Sequence, residues 1–157
     1  SWFSKTLFFP PAERFADNAV ALRKLDVPCP QVISTYKLLN PYRSVVHYHP
    51  LAGETLRSLL KTAPSLDQQH LFAQLASFIT SLHDKGVYFR SLHLGNIVLM
   101  PDGELGLIDI SDLRCAGRPL SEGMRNRNYR HLLRYEQDWS LVEESARSLF
   151  PLFSTKR

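Results

Sequence analysis

The most constraining feature of this sequence is the run of elements between residues 65 and 111. Apolar residues recur every three or four positions up to Leu82, with Ser65 as a suitable N-cap and Gly86 as a C-cap, which predicts one long amphipathic helix. A short β-rich run, a polar loop and two more strand-like runs separated by a turn at 101–103 follow. The chain must therefore pass directly from a long helix into short strands with tight connections.

Two polar side chains flank the predicted hairpin. Asn96 ends the polar loop before one strand, and Asp109 lies at the end of the next strand, thirteen positions later. Because a hairpin brings these positions to the same edge, an amide and a carboxylate converge there, and both are hard oxygen ligands of the kind that Mg²⁺ takes. Taken singly, Asn96 is typical of a loop residue that bonds its own backbone, and Asp109 of an ordinary strand-end carboxylate. Taken together in this context, they indicate one shared site at this edge of the hairpin.

The polar loop has the sequence FRSLHLGN at residues 89–96, and the sequence DIS follows at residues 109–111. This pattern resembles the protein kinase superfamily, whose catalytic loop reads H-R-D-x-x-x-x-N and whose metal-binding aspartate begins a D-F-G turn. The resemblance implies ATP and Mg²⁺ as cofactors, bound through Asn96 and Asp109. It also places Arg90 and Ser91 at catalytic positions.

Ser91 stands where this superfamily has the aspartate that accepts the proton of the acceptor hydroxyl. Serine cannot act as that base, and loss of a positioned general base costs about 10²–10⁴-fold in rate. His93 is a weaker candidate base, because sugar and aminoglycoside kinases with the loop H-G-D-L-H-P-G-N keep a histidine there beside an intact aspartate. We therefore expect impaired phosphoryl transfer or, as the alternative, a pseudokinase that serves as a binding or scaffold module without catalysis.

Three further segments resemble one group within the superfamily, the Kdo and heptose kinases of the lipopolysaccharide core. The segments are a helix and strand entry at 12–33, a hinge and helix at 49–60 and a basic helix at 118–135. The resemblance implies an α+β, protein kinase-like fold with an abbreviated small lobe over residues 1–51 and a mostly helical large lobe over residues 52–157. The acceptor that it implies is a sugar hydroxyl of the lipopolysaccharide core.

The segment before the first predicted helix departs from the kinase pattern. A complete kinase carries a glycine-rich loop and a strand lysine there, whereas this chain has about ten residues without a glycine. Lys5 is the only lysine in that segment, and Glu13 is the carboxylate on the following helix with which it would form a nucleotide-holding ion pair. The alternative reading of Lys5 and Glu13 is a solvated pair of surface charges.

The remaining segments carry simpler signals of local structure. Apolar residues at helical spacing predict a helix that Pro28 and Pro30 prevent from continuing. The predicted elements are an extended arm over 1–10, a helix over 12–26, an antiparallel hairpin of 31–39 and 44–48, a short helix over 55–61, strands over 87–89, 97–100 and 104–110, and helices over 121–135 and 138–150.

Two polar clusters admit both a functional and a structural reading. His47 and His49 lie on one face of a predicted strand, but no cysteine or carboxylate completes a zinc shell with them and His93, so a structural role is favoured. Four arginines on the last basic helix could hold a phosphorylated or acidic acceptor, and a solvated helix face explains them equally well. These arginines are Arg125, Arg127, Arg130 and Arg134.

Charge and cysteine content narrow the classes of function. Lys and Arg outnumber Asp and Glu by 19 to 15, which favours anionic partners, but no motif of a nucleic-acid-binding protein accompanies this mild excess. No stretch approaches the ~18 apolar residues of a membrane span, and the two cysteines lack C-x-x-C spacing, which favours free thiols in a reducing compartment. We expect a cytoplasmic protein that reaches an acceptor by peripheral contact with the inner face of the inner membrane. No oligomeric state is predicted.

Overall fold

A computed structural model describes residues 5–8, 11–39 and 42–150. The first part of the chain forms a three-stranded antiparallel sheet with one helix packed against it, and the strand Tyr42–His49 lies at the centre of the sheet. The predicted helix and hairpin are confirmed. The turn predicted at 40–43 is wrong at residues 42 and 43, which belong to the strand Tyr42–His49, and residues 40 and 41 lie outside the described residues. The elements are β1 (Lys5–Phe8), α1 (Pro11–Lys24), β2 (Gln31–Leu39) and β3 (Tyr42–His49).

Helix α1 is amphipathic, and its apolar face is buried at Ala12, Phe15, Ala19 and Leu22. Its polar residue Asn18 reaches across to a distant part of the chain, where its amide donates to the carbonyl oxygens of Ile110 at 2.7 Å and Leu113 at 3.1 Å. These two bonds fix the helix against the segment that follows Asp109.

The central part of the chain is a long helix followed by short strands, as predicted. Its strands form two small antiparallel sheets, β4-β6-β7 and β5-β8. Short 3₁₀ turns at Leu94–Asn96 and Ile110–Asp112 precede β6 and β8. The elements are β4 (Glu54–Thr55), α2 (Leu56–Thr62), α3 (Gln68–Asp84), β5 (Val87–Phe89), β6 (Ile97–Leu99), β7 (Leu105–Leu107) and β8 (Leu113–Cys115). Strands β4 and β8 were not predicted, because they form by pairing with the distant strands β6 and β5.

The sequence predicted the C-terminal end of α3 correctly and its N-cap incorrectly. Gly86 follows the helix with φ +80°, where a Cβ would collide with the Arg118 carbonyl, so glycine is required there. The predicted N-cap Ser65 is wrong. Asp67 caps the helix instead, because its carboxylate accepts a hydrogen bond from the His70 amide at 3.0 Å.

The last part of the chain contains α4 (Glu122–Leu133), α5 (Glu136–Trp139) and α6 (Glu144–Arg147). The single helix predicted over residues 138–150 is wrong, because the chain turns between α5 and α6. Gln68 of α3 supplies the physical reason: its side chain donates to the Leu141 carbonyl at 3.3 Å and accepts from the Glu143 amide at 2.8 Å. Backbone groups that would have bonded within one helix bond to a neighbouring element.

The architecture is therefore α+β, and apolar side chains from all parts of the described chain form one core. An aromatic cluster of Phe72, Tyr129, Trp139 and Phe150 joins α3 to the last helices.

No helix among the described residues is long and apolar enough to cross a bilayer. Cys29 and Cys115 are both free thiols, and burial raises the pKa of Cys29 to about 11.

A buried polar network holds β5 between α3 and α4. The Asn128 amide donates to the Phe89 carbonyl at 2.7 Å, so its oxygen faces His83 and accepts from the ring Nε2 at 3.0 Å. No described residue hydrogen-bonds the buried Nδ1 of His83. Protonation would therefore place a charged N–H in an apolar site without an acceptor, and this burial lowers the pKa of His83.

We predict that the free energy of unfolding is constant between about pH 7 and pH 8 and falls as the pH drops through about 6.5, the ordinary histidine pKa. The pKa values of His83, His93 and His131 are all lowered by burial. The unfolded chain therefore binds protons at a pH where the folded chain does not. Urea denaturation at a series of pH values from 8 to 5 measures this loss.

A glutamine at His83 keeps a donor for Asn128 and removes one titrating group, so His83→Gln should show a shallower acid loss than the parent chain. His70→Gln at an exposed position is the matched control and should keep the parent slope. Parallel acid profiles for all three proteins would show that the buried ring does not set the pH dependence.

Candidate active site

The pairing of β6 with β7 determines where the predicted metal ligands lie. Ile97 is opposite Leu107 in the ladder, and the Ile108 amide donates to the Asn96 carbonyl at 3.0 Å. Asn96 and Asp109 therefore emerge at the same end of the hairpin. Both line one cleft of about 480 Å³, which is within the size range of small-molecule sites.

Asn96 is held by its own loop and is only 6% exposed. Its side-chain nitrogen donates to the Ser91 carbonyl at 3.0 Å, whereas no described residue donates a hydrogen bond to its side-chain oxygen. The side-chain nitrogen thus orients the Asn96 amide, and the side-chain oxygen is available as a ligand.

Asp109 has left-handed backbone angles, φ 55° and ψ 48°. This conformation is uncommon for a residue other than glycine and clusters at functional sites. Its carboxylate makes no hydrogen bond or ion pair with another described residue. The side chain is therefore available to an incoming ligand.

Two aromatic residues form an apolar wall of the cleft that the sequence reading did not identify. Phe15 of α1 and Tyr48 of β3 both line the cleft, and their ring centroids are 4.6 Å apart. Burial and, to a smaller extent, the nearby charge of Asp109 raise the pKa of the Tyr48 hydroxyl. The strand and helix patterns showed that these residues were apolar, but nothing in them distinguished a cleft wall from core.

The segment between β3 and β4 forms the edge of the same cleft through Pro50, Leu51 and Gly53. Gly53 has φ +128°, and a Cβ on it would collide with the Leu99 carbonyl. Only glycine permits this close approach of the segment to β6. The cleft is thus bounded by backbone as well as by side chains.

Ser91 is bonded through two atoms to a residue that the sequence reading did not single out, Asp112. The Ser91 hydroxyl donates to the Asp112 carboxylate, and the Ser91 amide donates to the other carboxylate oxygen at 3.4 Å. A carboxylate is therefore placed against the loop position that lacks one. One sequence signal could have identified Asp112. It is an aspartate three positions after Asp109, in a chain whose loop at 89–96 contains no acidic residue.

His93 has a supporting position in the loop. Its ring Nδ1 accepts from the Gly95 amide at 3.1 Å and lies 3.3 Å from a guanidinium nitrogen of Arg57. Arg57 in turn binds the nearly buried Asp138 through both carboxylate oxygens, at 2.5 and 2.8 Å. Burial, with a contribution from Arg57, lowers the pKa of His93. His93 is not among the residues that line the cleft, and its predicted role as a base stays a prediction.

The other predicted site residues lie away from the cleft lining. Arg90 lines a second cavity of about 350 Å³, which Asp112 also lines. The Glu13 carboxylate accepts from the Ser44 hydroxyl at 3.0 Å and lies 3.4 Å from the Lys37 ammonium, and these two groups lower its pKa. The backbone of Lys5 in β1 pairs with that of Tyr48 in β3, but the Lys5 side chain lies outside the described residues. The Lys5–Glu13 pair stays a prediction.

The residues at the cleft fit a nucleotide-bound magnesium better than a metal held by protein alone. Within 5–8, 11–39 and 42–150, no group of three His, Cys, Asp or Glu side chains is placed to hold a metal. Asn96 and Asp109 supply two oxygen ligands, and Mg²⁺ commonly takes one or two from a protein and the rest from substrate phosphates and water.

Comparison with known proteins supports the fold. No protein-family profile matches the chain, and no curated protein matches it. Two solved structures of WbdD, one of them described as a bifunctional kinase-methyltransferase and the other a complex with a kinase inhibitor, superpose with TM-scores of 0.54 and 0.52 at 13% identity. They cover 72% and 71% of this chain, which spans only 28% and 29% of the WbdD chains. The fold is thus kinase-like. The predicted division into lobes at residues 51 and 52 stays a prediction.

We predict that Asp138→Ala lowers the free energy of unfolding by about 2 kcal/mol. Loss of one partner of a buried ion pair costs about 3–5 kcal/mol, and the value is reduced because the Arg57 side chain is 32% exposed. Asp84→Ala is the matched control, since it breaks an Arg–Asp pair whose carboxylate is 60% exposed, and it should cost less than about 1 kcal/mol. Equal losses in urea titrations of the two variants would contradict this account.

Proposed function

We propose that this protein binds ATP with Mg²⁺ in the cleft lined by Asn96 and Asp109 and transfers the γ-phosphoryl group to a sugar hydroxyl of the lipopolysaccharide core. The observation that carries the proposal is the convergence of these two oxygen-bearing side chains on one cleft of a kinase-like fold. Phosphoryl transfer depends chiefly on positioning and on neutralisation of phosphate charge. Bound Mg²⁺ supplies that neutralisation.

Different residues of the cleft bind the cation and the nucleotide. Asp109 contributes the negative charge that attracts the cation, and the Asn96 oxygen contributes a second, neutral ligand whose direction is fixed by the bond to Ser91. Tyr48, with the buried Phe15 ring packed behind it, offers apolar surface to the nucleotide and excludes water from one side of the cleft, which strengthens the interactions with the phosphates.

The proposed acceptor rests on the resemblance of residues 49–60 and 118–135 to lipopolysaccharide core kinases. Helix α4 and its C-cap expose Arg127, Arg130 and Arg134, which could bind a phosphorylated or acidic acceptor. Arg125 is otherwise engaged, because it bonds the Asp84 carboxylate at 2.8 Å and the Leu120 carbonyl at 2.9 Å. An acceptor of this kind would place the protein at the inner face of the inner membrane.

A pseudokinase is the second candidate, and Ser91 is the observation that favours it. The loop carries a hydroxyl where a general base is required for efficient transfer. On this reading the cleft binds nucleotide, or has lost that ability, and the chain acts as a binding or scaffold module.

We predict that the chain binds ATP more tightly with Mg²⁺ than without it, and that Asp109→Asn removes most of this difference. Loss of one charged ligand should weaken MgATP binding by about 10- to 100-fold. Isothermal titration calorimetry with ATP, in Mg²⁺ and in EDTA, measures both quantities.

Asp102→Asn is the matched control. Asp102 lies in the exposed turn of the same hairpin, where its carboxylate accepts from the Glu104 amide at 2.9 Å, so its substitution should leave MgATP binding unchanged. Absence of ATP binding by the parent chain would overturn the proposed function. MgATP binding without any phosphate release or transfer would establish the pseudokinase instead.

A further inference from the structure

The contact between Ser91 and Asp112 offers a solution to the missing base. Asp112 is in the 3₁₀ turn that follows Asp109, and its carboxylate reaches back to both the hydroxyl and the amide of Ser91. Neither Asp112 nor Ser91 is fully buried. The Asp112 side of the pair borders the cavity of about 350 Å³ that Arg90 also lines.

The same pair is connected to the proposed metal site through one residue. The Ser91 carbonyl accepts from the Asn96 side chain at 3.0 Å, so Asp112, Ser91 and Asn96 form a continuous chain of contacts. A carboxylate and a proposed metal ligand thus lie at the two ends of this chain of contacts, and phosphoryl transfer uses both kinds of group. The kinase pattern has its carboxylate within the loop itself. In this chain the carboxylate comes from the turn after Asp109 and accepts a hydrogen bond from the Ser91 hydroxyl.

We propose that Ser91 and Asp112 together replace the loop aspartate in the proposed reaction. The acceptor hydroxyl attacks the γ-phosphorus and passes its proton to the Ser91 hydroxyl oxygen, while the original Ser91 proton moves along its hydrogen bond to the Asp112 carboxylate. A bond forms between the acceptor oxygen and phosphorus, and the bond from phosphorus to the β,γ-bridging oxygen breaks. The electron pair of that bond leaves with ADP. This inference rests on the proposed function.

An alternative role for Asp112 is to cap the loop, since its carboxylate also accepts from the Ser91 amide. The two roles respond differently to an amide at this position. The oxygen of asparagine still accepts a hydrogen bond from Ser91, but an amide cannot take up a proton near neutral pH. Asp112→Asn should therefore preserve the loop and abolish proton transfer.

The test compares MgATP affinity and the rate of phosphate release in the full chain, with water as the acceptor. Asp112→Asn should lower the rate by about 100-fold and leave the dissociation constant for MgATP and the melting temperature unchanged. Asp17→Asn is the matched control, because Asp17 lines the same cavity as Asp112 without a hydrogen bond to Ser91, and it should retain the parent rate. The double variant Ser91→Asp with Asp112→Asn returns a carboxylate to the loop and should recover the rate.

Each contrary result has a distinct meaning. A parent rate in Asp112→Asn, or no recovery in the double variant, overturns the role of Asp112 and leaves the proposed function standing. Loss of MgATP binding together with the rate assigns Asp112 to the structure of the loop and also overturns its role in proton transfer. Absence of MgATP binding or of phosphate release in the parent chain removes both the proposed reaction and this inference.

Discussion

The backbone pairing of β6 with β7 is the constraint on which the candidate site depends. This short ladder, extended by the bond from the Ile108 amide to the Asn96 carbonyl, brings together two residues that are thirteen positions apart. Helix α1 then closes over the segment after Asp109 through the two hydrogen bonds of Asn18. A change of register by one residue would turn the side chains of one strand to the opposite face and so separate Asn96 from Asp109.

Two sets of contacts hold the loop between β5 and β6, one at His93 and the other at Ser91. Arg57, clamped by Asp138, lies against His93 and fixes the body of the loop. Asp112 holds Ser91, which in turn orients Asn96. The loop is therefore supported at His93 and at Ser91, and the Asp112 carboxylate lies against the Ser91 hydroxyl.

The sequence predicted the elements whose signals are local. The spacing of apolar residues was sufficient for α1 and α3, and Gly86 marked the end of α3 because only glycine avoids the collision with Arg118. The loop spacing also placed Asn96 and Asp109 at one cleft. The break between α5 and α6 could not be predicted, because it depends on the side chain of Gln68, more than seventy residues earlier. Asp112 and Tyr48 were missed for the same reason, since their significance lies in contacts between distant segments.

The central claim is that Asn96 and Asp109 are ligands of one cation beside a nucleotide. The most direct measurement is a crystal structure of the chain with Mn²⁺ and a non-hydrolysable ATP analogue, with anomalous diffraction to locate the metal. We expect an anomalous peak in the cleft, about 2.1 Å from an oxygen of each side chain and in contact with the analogue's phosphates. A metal bound elsewhere, or an analogue bound with its phosphates directed away from Asn96 and Asp109, would contradict it.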